Sequence, residues 1–218
     1  MVAVSSSLNR KSPMKTLEFF YDPISPYAML GFHTLPEALV GVSAQVRYTP
    51  VLFGAMLRAN DTKGPAEIAT KRDWTFRHVH WLAKRAGITL VDPAQHPFPP
   101  VALLRLALAA ADADAPAHTN RWVTEQMFAH VWQSQGQDVN DPTHMAALAS
   151  RLQAHVVERG DVWRDPADEA VKAQLRENTD RALRQDVFGV PTVRVDELVF
   201  WGVDALPMLA EHLQATPD

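Results

Sequence analysis

Cysteine is absent from all 218 residues. That absence excludes disulfide stabilisation and any thiol–disulfide chemistry carried by the chain's own side chains. It fits a reducing compartment without requiring one. No apolar stretch reaches the ~20 residues of a membrane span. No excess of positive charge marks a nucleic-acid surface. The 21 Lys and Arg face 25 Asp and Glu, giving a net charge of −4. The local cluster of Arg72, Arg77, Lys84 and Arg85 reads as a solvated helix face. The nine histidines lack metal-ligand spacing. His78 and His80 lie two apart, on different faces of a helix, and H-E-x-x-H is missing. Gly-x-Ser-x-Gly is missing too, which argues against a Ser-His-Asp hydrolase. Residues 1–15 carry four serines with Arg10, Lys11 and Lys15 and have no apolar core. They read as a disordered tail rather than a secretory signal, with Met14 a candidate start.

What is present is an ordinary globular composition, 47% hydrophobic, and enough length for one sizeable core or a domain with an insertion. Residues 16–22 read as a buried strand, 26–39 as a helix and 45–52 as a second strand parallel to the first. A helical stretch follows. Residues 66–86 carry Ile68, Phe76, Val79 and Leu82 at near-helical spacing, and Gly87 supplies the stop. Helices are expected over 101–111, 119–135, 142–158 and 165–185, with Asp141-Pro142 as N-cap and first helical residue. Short strands over 192–195 and 198–201 flank a turn at Asp196-Glu197, and a helix over 204–214 closes the chain. The tryptophans on these helices, Trp74, Trp81, Trp122, Trp132 and Trp163, read as core or interface. Trp74 and Trp81 are the candidates to line an aromatic pocket.

One stretch joins these elements to chemistry. Tyr21-Asp22-Pro23-Ile24-Ser25-Pro26-Tyr27-Ala28 runs from strand through turn into helix, with Pro26 in the first helical turn. Ser25 therefore stands beside unpaired backbone donors and a partial positive charge. Taken alone, it is an ordinary helix cap, worth ~1 kcal/mol. Val190-Pro191-Thr192 taken alone is a turn before a strand, and Asp204 a cap for the last helix.

Together these motifs carry a resemblance. Ser25-Pro26-Tyr27-Ala28 looks like a C-P-Y-C motif without its sulfurs. Phe188-Gly189-Val190-Pro191-Thr192 resembles the cis-proline loop of thioredoxin-like proteins. Phe200-Trp201-Gly202-Val203-Asp204 resembles the γ-glutamyl loop of one branch. With Gly64-Pro65-Ala66-Glu67-Ile68, Phe76-Arg77-His78 and His96-Pro97-Phe98 between them, the chain from about Thr16 to Leu213 resembles the 2-hydroxychromene-2-carboxylate isomerases. These are close to the kappa-class glutathione transferases and more distantly related to DsbA.

The resemblance implies an α/β, thioredoxin-like fold with a large all-helical insertion. Residues 16–52 and 186–218 would form the thioredoxin-like domain and 53–185 the insertion. It implies a glutathione-dependent cis–trans isomerase in which Ser25 holds the glutathione sulfur as thiolate. Val190, Pro191, Thr62, Gly202, Val203 and Asp204 would bind the tripeptide, beside a small aromatic or electrophilic substrate. A homodimer in the cytoplasm is expected. Three positions depart from the family's pattern. Thr62 stands where relatives carry Asn or Gln, with Asn60 the nearest amide. Pro99 stands for an Asn, and Val203 for a small polar residue. Two alternatives stay open: a kappa-like transferase that releases a stable conjugate, and a non-catalytic thioredoxin-like binding module.

Without a thiol of its own, the protein cannot form a mixed disulfide. It should leave the rate of insulin reduction by dithiothreitol unchanged. A reproducible acceleration by protein free of thioredoxin would contradict this.

Overall fold

A computed structural model of the chain describes residues 14–215. The expectations for residues 1–13 lie outside the described residues, and Lys15 already belongs to the first strand. The fold opens with β1 (Lys15–Tyr21), α1 (Pro26–Ala38) and β2 (Ala44–Pro50). Five helices follow: α2 (Phe53–Ala59), α3 (Ala69–Arg85), α4 (Val101–Ala109), α5 (Arg121–Trp132) and α6 (Pro142–Glu158). Then come α7 (Glu169–Arg184), β3 (Thr192–Val195), β4 (Leu198–Trp201) and α8 (Leu206–Ala215). The sheet order is β2-β1-β3-β4. β1 pairs with β2 in parallel, with Phe19 opposite Tyr48, and with β3 antiparallel, with Phe19 opposite Val193. This is the expected thioredoxin-like arrangement, a mixed four-stranded sheet with helices against it.

Local chemistry explains most boundaries. Asp141 caps α6 by accepting from the His144 amide at 2.9 Å, with Pro142 in the first turn. Gly87 follows α3 at φ +66°, a left-handed conformation that suits glycine. Asp196 takes φ +52° in the β3–β4 turn. The helix expected over 66–86 is broken. Pro65–Glu67 forms one 3-10 turn, Ile68 is extended at φ −113° and ψ 111°, and α3 starts at Ala69. The Glu67 carboxylate accepts from the Gly64 amide at 2.7 Å and closes that short turn on itself.

A continuous apolar core runs from the sheet into the helices. Phe19 packs edge-on to Tyr48 at 5.8 Å between ring centroids, and Phe32 of α1 meets Phe128 of α5 at 5.4 Å. Phe19, Phe32, Phe128 and Trp132 are essentially inaccessible to solvent. Each such side chain contributes about 1.5–3 kcal/mol by leaving water. Trp132 also has a polar role: its indole N–H donates to the Pro23 carbonyl at 2.8 Å. α1 approaches the loop before β3 closely. A Cβ on Gly31 would stand 3.1 Å from the Pro191 ring.

Asp22 ends β1 and is fully buried. One carboxylate oxygen accepts from the Ile24 amide and the other from the Phe53 amide, both at 3.0 Å. It thereby ties the β1–α1 loop to the start of α2. Burial pushes its carboxyl up to about 7, against the pull of the two amides. The unfolded chain ionises near 4, so the folded state holds this proton more tightly. The stability due to Asp22 is greatest below about pH 4 and is lost as pH rises through about 7. Asp22→Asn does not titrate. Urea unfolding should therefore show the wild type losing ~1–3 kcal/mol relative to this variant between about pH 5 and pH 8. A difference that does not change with pH would refute the assignment.

Candidate active site

The β1–α1 loop holds Ser25 as N-cap of α1, at φ −88° and ψ 115° and almost fully buried. Its Oγ accepts from the Ala28 amide at 3.2 Å. The hydroxyl proton points to nothing closer than the Val190 carbonyl, at 3.5 Å. That is long for an O–H···O bond, whose usual span is about 2.5–3.0 Å. Ser25 thus spends a lone pair on the cap and keeps its proton for a better acceptor.

The four carbonyls of residues 22–25 and the Ile24 and Ser25 amides all have partners. The Ser25 amide donates to the Asp22 carbonyl at 3.0 Å. Trp132 donates to Pro23, and His96 Nε2 donates to the Ile24 carbonyl at 2.8 Å. Burial holds the His96 imidazole below its ordinary range, against the raising effect of that bond.

Opposite the loop, the Val190–Pro191 peptide is cis, as is His96–Pro97. Among the described residues no hydrogen bond reaches the Val190 amide. Between the two loops opens a cavity of about 1220 Å³. The start of α1 contributes its cap Ser25 and Tyr27, α2 Phe53 and Arg58, the loop after α2 Lys63, the 3-10 turn Glu67, and α3 Lys71 and Trp74. Phe188, Val190 and Trp201 close the other side. Arg58, Lys63 and Lys71 form no ion pair among the described residues, and Glu67 is engaged by Gly64. The wall is therefore net positive and suits a ligand carrying carboxylates. Among the described residues no three His, Asp or Glu gather as a metal site. No helix among them is long and apolar enough to cross a membrane.

Of the residues singled out from sequence, Ser25, Thr62 and Val190 line this cavity together. Pro191 sits one step outside, against Gly31. Gly202, Val203 and Asp204 do not line it; Trp201 occupies that side. Gly202 has φ +93° and donates to the Pro191 carbonyl at 2.9 Å. A Cβ there would lie within 2.4 Å of the Asp204 carboxylate, which folds back over the glycine. Asn60 does not take the place of the missing amide: its side chain caps the end of α2, donating to the Met56 carbonyl at 2.9 Å. Trp74 lines the cavity and Trp81 does not, although both are half exposed.

Sequence reasoning missed Tyr27, the three cations and the part played by His96. Tyr27 stood inside the motif already read, and its spacing from Ser25 was the available signal. Its hydroxyl lies 2.8 Å from His78 Nδ1 on α3, and the Trp74 ring packs against His78 in a tilted pair at 4.6 Å. Arg58, Lys63 and Lys71 have no common sequence pattern. Only the folding of α2 and α3 around the 3-10 turn brings them together.

Known proteins resemble most of the chain. Glutathione S-transferase kappa 1 of Rattus norvegicus is 22% identical over 204 residues, covering 90% of this chain and 89% of its own. A 2-hydroxychromene-2-carboxylate isomerase of Sphingobium xenophagum is 25% identical over 201 residues, covering 91% and 98%. A solved structure of 2-hydroxychromene-2-carboxylate isomerase superposes with a TM-score of 0.74 at 22% identity, over 91% of this chain and 94% of that one. The family model of the DSBA-like thioredoxin domain matches residues 16–214. With a domain model matching most of the chain and a thioredoxin-like mixed sheet, the chain belongs to the DSBA-like thioredoxin domain family.

Proposed function

We propose that the protein is a glutathione-dependent isomerase of the 2-hydroxychromene-2-carboxylate isomerase type. The observation that carries this reading is the Ser25 hydroxyl: buried at a helix N-terminus, on a cavity wall, with its proton poorly engaged. When bound, glutathione would supply the thiolate that adds reversibly to an electrophilic carbon of the substrate. A free thiol has a pKa of about 8.5, so a shift of ~2 units calls for ~2.7 kcal/mol of preferential thiolate stabilisation. One hydroxyl donor to a charged acceptor, ~1.5–3 kcal/mol, together with the end of α1, is of that size.

The remaining residues fit the tripeptide by their chemistry. The Val190 amide and carbonyl offer one edge of a short ladder to an extended peptide. Thr62 and the cations Arg58, Lys63 and Lys71 suit its carboxylates or that of an acidic substrate. We assign Gly202, Val203 and Asp204 to the γ-glutamyl end where it leaves the cavity past Trp201, with the exposed Asp204 carboxylate pairing with the ammonium. Pro191 fixes the loop that presents Val190. Trp74 and Phe188 give an aromatic substrate apolar faces. Free glutathione is maintained in the reducing cytoplasm, and we assign the protein there.

A second reading has its own support in the kappa-class relatives. A transferase of that kind would release a stable conjugate and consume glutathione, whereas an isomerase returns it. Free-thiol titration during turnover separates the two.

Glutathione in large excess should raise the melting temperature, by mass action worth ~2.7 kcal/mol at a hundredfold excess over Kd. Ser25→Ala should still bind glutathione, with a raised thiol pKa read from thiolate absorbance. Its turnover should fall by ~10- to 100-fold at neutral pH and recover in part as pH rises. A melting temperature indifferent to glutathione, or an adduct on Ser25 found by mass spectrometry, would overturn the reading.

Arg58→Ala and Lys71→Ala should each weaken glutathione or acidic-substrate binding by about three- to tenfold at low ionic strength. The loss should shrink as salt shortens the Debye length. A loss that does not depend on salt would assign these side chains a packing role instead.

A further inference from the structure

Tyr27 lies two residues beyond Ser25 and lines the same cavity. Its hydroxyl is 2.8 Å from His78 Nδ1. The imidazole is held between two indoles of its own helix. Trp74 lies against it in a tilted pair at 4.6 Å and Trp81 stacks on it at 5.9 Å, one turn to either side. The pair joins the start of α1 to the face of α3 that carries Trp74 into the cavity. Nothing in the fold requires a phenol here: Tyr27 and His78 are both only partly buried, and the core closes beneath them.

We propose that Tyr27 is a catalytic hydrogen-bond donor to oxygen, and that His78 is the residue that positions and polarises it. The role presupposes the glutathione-dependent addition proposed above. When a thiolate adds to a conjugated carbonyl compound, the sulfur lone pair becomes the C–S bond. The C=C pair shifts toward the carbonyl, and negative charge gathers on its oxygen. Reversal returns the pair to carbon and the charge to sulfur, so no proton need be gained or lost. The protein's task is to hold that oxygen while the charge is on it.

A phenol serves if its O–H is free to turn to the substrate. With the proton of His78 on Nδ1, the imidazole donates to the Tyr27 oxygen and the phenolic O–H is released toward the cavity. Burial, and then the nearby Asp204 carboxylate, hold the Tyr27 phenol above its ordinary range, so it keeps its proton at neutral pH. Ser25 would thus hold charge on sulfur and Tyr27 charge on oxygen, from the first turn of one helix. The substrate class that gains most is an aryl-substituted α,β-unsaturated carbonyl compound, with its ring against Trp74.

Two measurements test this, the first without glutathione. Absorbance titration with 4-nitrophenolate, an aromatic oxyanion, should give a Kd that rises ~10-fold in Tyr27→Phe. It should also rise in His78→Ala. His78→Asn, whose amide nitrogen lies where Nδ1 was and always donates, should recover most of that loss. The second measurement compares glutathione addition to an aryl enone with substitution on 1-chloro-2,4-dinitrobenzene, which forms no carbonyl oxyanion. Tyr27→Phe should slow the enone by ~10- to 100-fold more than the chloroarene. Equal 4-nitrophenolate affinities in wild type and Tyr27→Phe, or equal slowing of both electrophiles, would overturn the donor role and leave the glutathione reading standing. A wild type that binds 4-nitrophenolate through Tyr27 yet ignores glutathione would overturn that reading, and the catalytic role with it. His78→Asn behaving like His78→Ala would overturn the positioning role of His78.

Discussion

The structure depends on keeping the carbonyls of the buried loop 22–25 hydrogen-bonded. A short non-helical segment under a protein surface exposes carbonyls and amides to an apolar environment, and each one left unpaired costs about 1–3 kcal/mol. Here the partners come from far along the chain. Trp132 at the end of α5 reaches Pro23, His96 reaches Ile24, and the first amide of α2 reaches Asp22. The helices around the sheet are therefore not a lid added to a finished site. They supply the donors that make the Ser25 loop affordable to bury.

Asp22 and Ser25 show how one loop sets two protonation problems against each other. Asp22 is stripped of water and holds its proton unusually well. Three residues on, the serine hydroxyl lines a cavity whose wall is positively charged. An anion is penalised beneath the loop and favoured in the cavity. The two environments lie one turn of chain apart, with the N-terminus of α1 and its partial positive charge beginning between them.

Under the proposed reading, a serine where the resembled C-P-Y-C motif has cysteine leaves the sulfur to the bound thiol and keeps the helix-start field that would stabilise it. A serine hydroxyl is a poor nucleophile without a base, and no imidazole is bonded to Ser25. The histidines near the cavity are otherwise engaged: His96 clamps the loop and His78 is bound to Tyr27. The side chains are arranged to hold charge rather than to attack.

How much of this was legible in the sequence follows from the range of each interaction. Ser25-Pro26 as a helix start, Asp141-Pro142, the stop at Gly87 and the turn at Asp196 are local, fixed by backbone conformation and by the nearest amides. The thioredoxin-like order of elements was readable for the same reason, because periodicity and turn residues lie within short windows. The break at Ile68 was not readable. A Glu67 side chain turned back onto Gly64 decided it, over an apolar spacing that favoured a continuous helix. The sequence also could not show that Gly202, Val203 and Asp204 stay out of the cavity that Ser25, Thr62 and Val190 share, since Trp201 fills that side only after β4 pairs with β3. The cationic wall and the Tyr27–His78 pair are likewise products of tertiary structure. Sequence by itself determined which groups could cap, turn or donate. Which of them meet was decided by packing, because a hydrogen bond or a charged wall forms only when elements tens of residues apart are brought within a few ångströms by the burial of a common core.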